Sequence, residues 1–217
     1  MARSVVWTDL RHWEETTQPV LFELARTARG FLDIGAFSGV YTLLACAANP
    51  RLRALAFEPN PNTAPLLRRN VEINGLQHRV TVVEKALSAA PGKARLSIPH
   101  DTTAASLDAS SVRSPTSSVE VAVTTADEVA AGLDVDLVKI DVEGLESEVM
   151  RGMTGLIHRC RPQIIVECLD AEALAKVCET TQDLGYTSVH HLGRNGPAAA
   201  GPGFVPPPRY ANFLIAP

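Results

Sequence analysis

The chain has no apolar run long enough to cross a bilayer, no C-x-x-C pair and no cluster of lysines and arginines along its 217 residues. Each absence removes a class of function. A membrane-spanning role goes with the first. The opening residues, 1–9, meet acid and polar side chains before a signal-peptide core can form, so a cytoplasmic protein is expected. Cys46, Cys160, Cys168 and Cys178 show no metal or disulfide spacing, and three of them lie in apolar segments. They read as free thiols, which suits a reducing compartment. With a net charge of −4 and no basic run, nucleic acid is a poor partner. No internal repeat is apparent. What is present is 46% hydrophobic residues and a mean hydropathy of +0.05, enough for one globular α/β domain with a real core.

A further absence is more telling. Residues 30–42 read as a buried strand (Phe31, Leu32, Ile34) that enters a small-residue turn at Gly35 and then opens a helix from Val40 to Ala48. That unit is how doubly wound folds bind nucleotides. The fingerprint G-x-G-x-x-G is not met: aligned from Gly35, its second glycine is Phe37 and its third is Val40. A phenylalanine there blocks a pyrophosphate from lying on the backbone. Adenosine without phosphate still fits, which points away from NAD and towards S-adenosylmethionine (SAM).

The remaining elements follow in order. Residues 1–29 are expected to form a short helical lead-in, with Pro19 near the start of a helix. Residues 52–58 read as a second strand ending in Glu58, about 20 residues past the glycine turn, where an acid takes ribose hydroxyls in nucleotide-binding folds. The alternative for Glu58 is a turn residue before Pro59. A helix is expected over 62–74, a third strand over 80–84, and an antiparallel pair over 94–99 and 118–124 that forms an insertion at about 94–124. Thr125 can cap a short helix, with Glu128 as its capping-box acid. Residues 136–144 form a fourth strand in which Lys139 and Asp141 share a face, with Glu143 in the turn beyond. Three charges at a carboxyl sheet edge need pairing or a ligand. A helix over 145–153, a fifth strand ending at Glu167 and an amphipathic helix over 171–184 come next. Strands over 186–192 and 210–215 have no helix between them and should pair antiparallel, while the Gly/Pro-rich stretch 193–208 is expected to be irregular.

Several blocks resemble the FkbM family of SAM-dependent methyltransferases. They are Asp33-Ile34-Gly35-Ala36, Phe57-Glu58-Pro59-Asn60-Pro61, Lys139-Ile140-Asp141-Val142-Glu143-Gly144 with Glu146, Arg161-Pro162 before Glu167, and Asn212. The resemblance covers the chain from about Phe31 to its end. It implies a Rossmann-like class I methyltransferase fold over residues 30–217: α/β, three layers, a seven-stranded mostly parallel sheet with the last strand reversed. It implies O-methylation of a small-molecule, sugar or natural-product hydroxyl. By the resemblance, Gly35, Ala36, Phe37 and Gly39 pass beneath the methionine and ribose of SAM, Asp33 holds the turn or the SAM ammonium, and Ser38 and Thr42 are further cofactor-binding candidates. Glu58, Pro59 and Asn60 hold the ribose, Lys85, Ala86 and Leu87 flank adenine, and Asp141 faces the cationic groups. The family usually has Asn where this chain has Phe37, Ile or Val at Ser38, and Thr-Leu-Asp at Thr125-Ala126-Asp127.

An alcohol acceptor gains from a general base. Asp141, Glu143 and Glu167 are the candidates, with His100 a weaker one; His190 and His191 read as ordinary strand residues. No metal site is assigned, since Asp141 and Glu143 lack a third ligand. Residues 97–118 and 193–209 would read the acceptor. A homodimer is compatible with an exposed patch beside an open site, and no sequence feature fixes it. Two other readings stand beside the methyltransferase: an NAD(P)-dependent oxidoreductase, and a non-catalytic SAM-binding or partner protein of the same fold.

Overall fold

Short apolar runs alternate with amphipathic segments, and the chain builds a sheet sandwiched between helices. The computed structural model describes residues 14–99, 105–107, 115–200, 204–207 and 211–217. The elements are α1 (Thr17–Ala25), β1 (Gly30–Ile34), α2 (Val40–Ala48), β2 (Arg53–Phe57), α3 (Ala64–Ile73), β3 (Val80–Val83), β4 (Ala86–Leu87), β5 (Gly92–Pro99), β6 (Pro115–Thr124) and α4 (Ala126–Val129). There follow β7 (Leu137–Ile140), α5 (Glu146–Arg151), α6 (Thr154–Cys160), β8 (Gln163–Cys168), α7 (Ala171–Asp183), β9 (Ser188–Gly193), β10 (Gly196–Ala199) and β11 (Ala211–Ala216). No helix among the described residues is long and apolar enough to cross a membrane.

The main sheet has the order β10-β9-β11-β8-β7-β1-β2-β3. Strands β3, β2, β1, β7 and β8 pair in parallel, and β11 runs antiparallel to both β8 and β9. Seven of these strands are the expected ones, with the last reversed. The eighth, β10, corrects the reading of 193–208 as irregular. Gly196, at φ 94°, lets the chain turn back, and Ala198 then pairs with His191. Pro197 is tolerated because β10 is the edge strand, where a missing N–H can face outward.

The parity of the strands divides the core. Leu32 and Ile34 point to the face covered by α5, α6 and α7, with Val138, Ile140 and Val166. Phe31 points to the other face, with Leu137 and Ile165, against Leu21 of α1, Tyr41 of α2 and Leu67 of α3. Fully burying each large side chain contributes roughly 1.5–3 kcal/mol, which is what holds such short helices in place.

The insertion is a separate three-stranded sheet, β4-β6-β5. Its hairpin pairs Lys93 with Ala122 and Leu96 with Val119, as the alternation predicts, and Ala86–Leu87 joins it as a third, parallel strand. His100 lies outside the described residues, as does most of the connection between β5 and β6.

The helix expected over 145–153 forms as α5, ending at Gly152, and a second helix, α6, that the sequence reading did not give follows it. A Cβ on Gly152 would collide with the carbonyl of Ser88, so the chain there presses directly on the β4 region. The second helix lacks a cap of its own. Asp127 of α4 supplies it, accepting from Gly155 N at 2.9 Å and Leu156 N at 2.7 Å. Thr125 caps α4 through Glu128 N as expected, while the Glu128 carboxylate accepts from Thr124 Oγ1 instead of returning to Thr125 N.

The Asp127 cap is testable. Asp127→Ala should lower stability by about 1 kcal/mol, and Asp127→Asn should recover part of it. Thermal unfolding would show this as a midpoint drop of about 2–4 °C for a chain of this size. An unchanged midpoint in the alanine variant would contradict the assignment.

Candidate functional site

The site starts at the carboxyl end of β1. Gly35 (φ 82°) and Ala36 both donate to the carbonyl of Phe57, at 3.0 and 2.9 Å, which folds the turn onto the end of β2. A Cβ on Gly35 would strike the carbonyl oxygen of Asp141, so only glycine lets β1 and β7 end side by side. Gly39 (φ 87°) closes the turn and opens α2. That helix has no side-chain cap from its own N-terminal residue. Buried Asp33 serves instead, accepting from Thr42 N at 2.9 Å and Thr42 Oγ1 at 2.5 Å. Asp33 therefore holds the turn. Burial raises its carboxyl to about 6, against the pull of those bonds and of Lys139.

Glu58 sits at the end of β2, 6% exposed. Its carboxylate accepts from Phe37 N (2.8 Å), Asn60 N (2.9 Å) and Thr63 Oγ1 (2.9 Å), locking the glycine turn to the start of α3. Burial raises its carboxyl above the ordinary range. Beside it, the buried Nδ2 of Asn60 has no partner among the described residues. Pro59 follows Glu58 in the same turn, and the carbonyl of Ser38 accepts from Asn70 Nδ2 at 2.7 Å. Ala86 and Leu87 are buried in apolar clusters, and Lys85 is exposed beside them.

Phe37 has φ 48°, a left-handed conformation that a bulky side chain rarely adopts. Asparagine tolerates it, which gives a physical reason for the family's usual residue at this position.

The second half of the site comes from sheet register. Lys139 pairs with Asp33 on one side and Ile165 on the other, and Glu167 pairs with Asn212. All but Ile165 are polar, and all lie on the face that α1 and α2 cover. Continuing the register by two residues sets Asp141 level with Glu167. The carboxylates of Asp141, Glu167 and Glu14 offer oxygens that lie within 4.8 Å of one another. Lys139 is fully buried among them, its Nζ 3.3 Å from Asp141 Oδ2 and 5.5 Å from the centre of the Tyr41 ring. The Tyr41 hydroxyl donates to Glu14. Asn212 Nδ2 lies 3.2 Å from Glu14 Oε2 and 3.5 Å from Glu167 Oε2.

The electrostatics follow from one cation against three acids. Burial alone would lower Lys139, but Asp141, Glu14 and Glu167 outweigh it and keep the ammonium charged. Glu167 is raised to about 9, first by burial and then by Asp141. Glu14 is raised as well, chiefly by burial. Glu143 lies in the turn beyond β7, at φ 57°, outside the three-carboxylate group but near enough to press on Glu167. Its carbonyl accepts from Ser106 Oγ at 2.7 Å. Glu146 is spent on Gly144 N, at 2.8 Å.

The structure thus brings Asp141 and Glu167 together and sets Glu143 apart. Glu14 and Tyr41 are the members that sequence reading missed. Tyr41 and Glu14 carry no motif; only the return of the lead-in over the sheet edge brings Glu14 to the Tyr41 hydroxyl.

An open α/β sheet of this order, with the last strand reversed and its polar edge beside a glycine turn, defines a class I methyltransferase fold. The chain matches the methyltransferase FkbM domain over residues 33–188, more than half its length, and belongs to that family. No curated protein matches it in sequence. Among solved structures it is similar to the methyltransferase FkbM from Methylobacillus flagellatus KT, at 14% identity and a TM-score of 0.60. That likeness covers 87% of this chain and 43% of the other, so this chain spans under half the length of that protein. A precorrin-6y C5,15-methyltransferase from Geobacter metallireducens GS-15 shares 18% identity at a TM-score of 0.57, covering 94% and 88%. A SAM-dependent O-methyltransferase from Thermotoga maritima shares 12% at 0.57, covering 94% and 65%. Membership of the family implies SAM as the cofactor.

The strain at Phe37 is open to test. Phe37→Asn should raise stability by about 1 kcal/mol, since a left-handed bulky residue costs about 1–2 kcal/mol and the half-buried ring returns part of that. Denaturant unfolding of both proteins would show a higher midpoint in the variant. A lower midpoint would mean that the ring's packing outweighs the strain.

Proposed function

We propose that the protein transfers a methyl group from SAM to a hydroxyl oxygen of a small molecule, sugar or natural product. The observation that carries this reading is the carboxylate group of Asp141, Glu167 and Glu14 around Lys139, at the same sheet edge and on the same face as the glycine turn. The residues present fit the cofactor. Glu58 offers acceptor oxygens at the end of β2, and the orphaned Nδ2 of Asn60 is a buried donor beside it. The turn from Gly35 to Gly39 would hold the methionine and ribose, Glu58 and Asn60 the adenosine side, and Asp141 the cationic groups. When bound, SAM supplies an electrophilic methyl group on a sulfonium.

The chain's own part is position and proton traffic. Methyl displacement is in line, so much of the rate comes from holding donor and acceptor together. Glu167 is the proton acceptor in this reading. Its carboxyl, raised to about 9, holds a proton in the free protein at neutral pH. A cation placed beside the cluster favours the carboxylate again and makes it ready to take the hydroxyl proton. Lys139 holds Asp141 in place through its 3.3 Å ion pair. Asn212 and Glu14 orient Glu167 through the shared amide.

The sign of the pH dependence follows. The active form of Glu167 is the carboxylate, so methyl transfer should rise with pH and level off near 9 or, with SAM bound, below it. Glu167→Gln should lose about 100-fold or more in turnover of a hydroxyl acceptor. It should also lose the pH slope, while S-adenosylhomocysteine binds within twofold of wild type. A glutamine variant that turns over at the wild-type rate would remove Glu167 from the mechanism.

A further inference from the structure

At the opposite end of the sheet, a cleft of about 760 Å³ opens at the amino ends of β1 and β2. Five arginines line it, Arg26, Arg29, Arg51, Arg53 and Arg79, together with His78. Among the described lining residues there is a single carboxylate, Asp134. The basic side chains come from three separate stretches of the chain, which is why no basic run is visible in the sequence.

The charges are unequally matched. Arg26 pairs with Glu23 at 3.0 Å, and Arg29 is held by Asp134 (3.0 Å) and Asp136 (2.8 Å). Among the described residues Arg79 is fixed by carbonyls alone, those of Cys46, Asn49 and Leu52, at 3.0, 2.9 and 3.4 Å, and its charge meets no carboxylate there. The guanidinium groups of Arg51 and Arg53 have no partner among the described residues. Three unneutralised arginines thus share a concave surface on a chain whose net charge is −4. Like charges gathered in a cleft repel one another and focus the potential there, so an anion that fills it relieves both. Planar guanidinium forks suit phosphate oxygens. The size lies within the range of small-ligand pockets, about 300–1,000 Å³, and exceeds what one phosphate group needs. Asn49, Gln77 and Thr81 add uncharged polar groups to the lining.

We propose that this cleft binds a small phosphorylated molecule, at a site separate from the methyl-transfer edge. The two ends of β1 lie about 13 Å apart, four steps of roughly 3.3 Å. A ligand here therefore acts on the protein without meeting the reacting atoms. The proposal does not depend on the assignment of Glu167 or of the acceptor.

The test is calorimetric titration of the full chain with ADP, inorganic pyrophosphate and adenosine, each with and without saturating S-adenosylhomocysteine, and with the double variant Arg51→Ala/Arg53→Ala alongside. The expected result, with S-adenosylhomocysteine saturating the methyl-transfer edge, is binding of ADP and pyrophosphate but not adenosine, with pyrophosphate bound equally well in its absence, and both weakened at least tenfold in the double variant. The variant should still unfold cooperatively at a midpoint no lower than wild type, because two repelling charges are gone. The proposal is overturned if no phosphorylated probe binds below millimolar, if the variant binds as well as wild type, or if S-adenosylhomocysteine displaces pyrophosphate. Tighter retention by a single-stranded oligonucleotide than by ADP would also overturn it, in favour of a nucleic-acid surface.

Discussion

The structure depends on one buried charge. Lys139 lies in β7, fully buried, with its ammonium 3.3 Å from Asp141 Oδ2 and within the electrostatic reach of Glu14 and Glu167. An isolated ammonium in such a place would be lowered until it lost its proton. Here the acids prevent that, and in turn the ammonium offsets the repulsion among whichever of them are ionised. The arrangement is worth little as net stability, because desolvation consumes most of the attraction. Its value is positional: it fixes carboxylates of three separate segments at one point and leaves them short of positive charge. A site one cation poor is prepared for a ligand that brings one.

Around that charge, the backbone does the alignment. Gly35 lets β1 end against the carbonyl of Asp141, so the glycine turn and the acidic edge are built as one unit. Asp33 and Glu58 look alike in the sequence, each an acid at the end of a strand. The structure gives them different work. Asp33 is consumed in starting α2, while Glu58 ties the turn to α3 and has beside it Asn60 Nδ2, a buried donor without a partner among the described residues. The polar groups line one face because strand parity puts them there: Asp33, Lys139, Glu167 and Asn212 all fall on the side of α1 and α2.

Much of this was legible from residues alone. The turn after Ile34, the acid after Phe57, the same-face placement of Lys139 and Asp141, and the reversed last strand all follow from period-two alternation and turn chemistry, which are local. What was not legible depends on the return of distant chain. Glu14 sits in a lead-in with no pattern, and its role exists only because that segment folds back over Asn212. Helix α6 takes its cap from Asp127, distant in sequence. Strand β10 was hidden because Gly and Pro argue against regular structure except at a sheet edge, and the edge is a tertiary fact. The basic cleft was invisible for the same reason, its arginines being scattered over residues 26–79.

The central claim is that the carboxyl edge is a site for SAM and not for a dinucleotide. Thermal unfolding of the full chain with SAM, S-adenosylhomocysteine or NAD added separately tests it most directly. A ligand that binds only the folded state raises the midpoint, by several degrees at a concentration a hundredfold above Kd. The account predicts a rise with SAM and with S-adenosylhomocysteine and none with NAD. A rise with NAD alone, or no rise with any of the three, would contradict it.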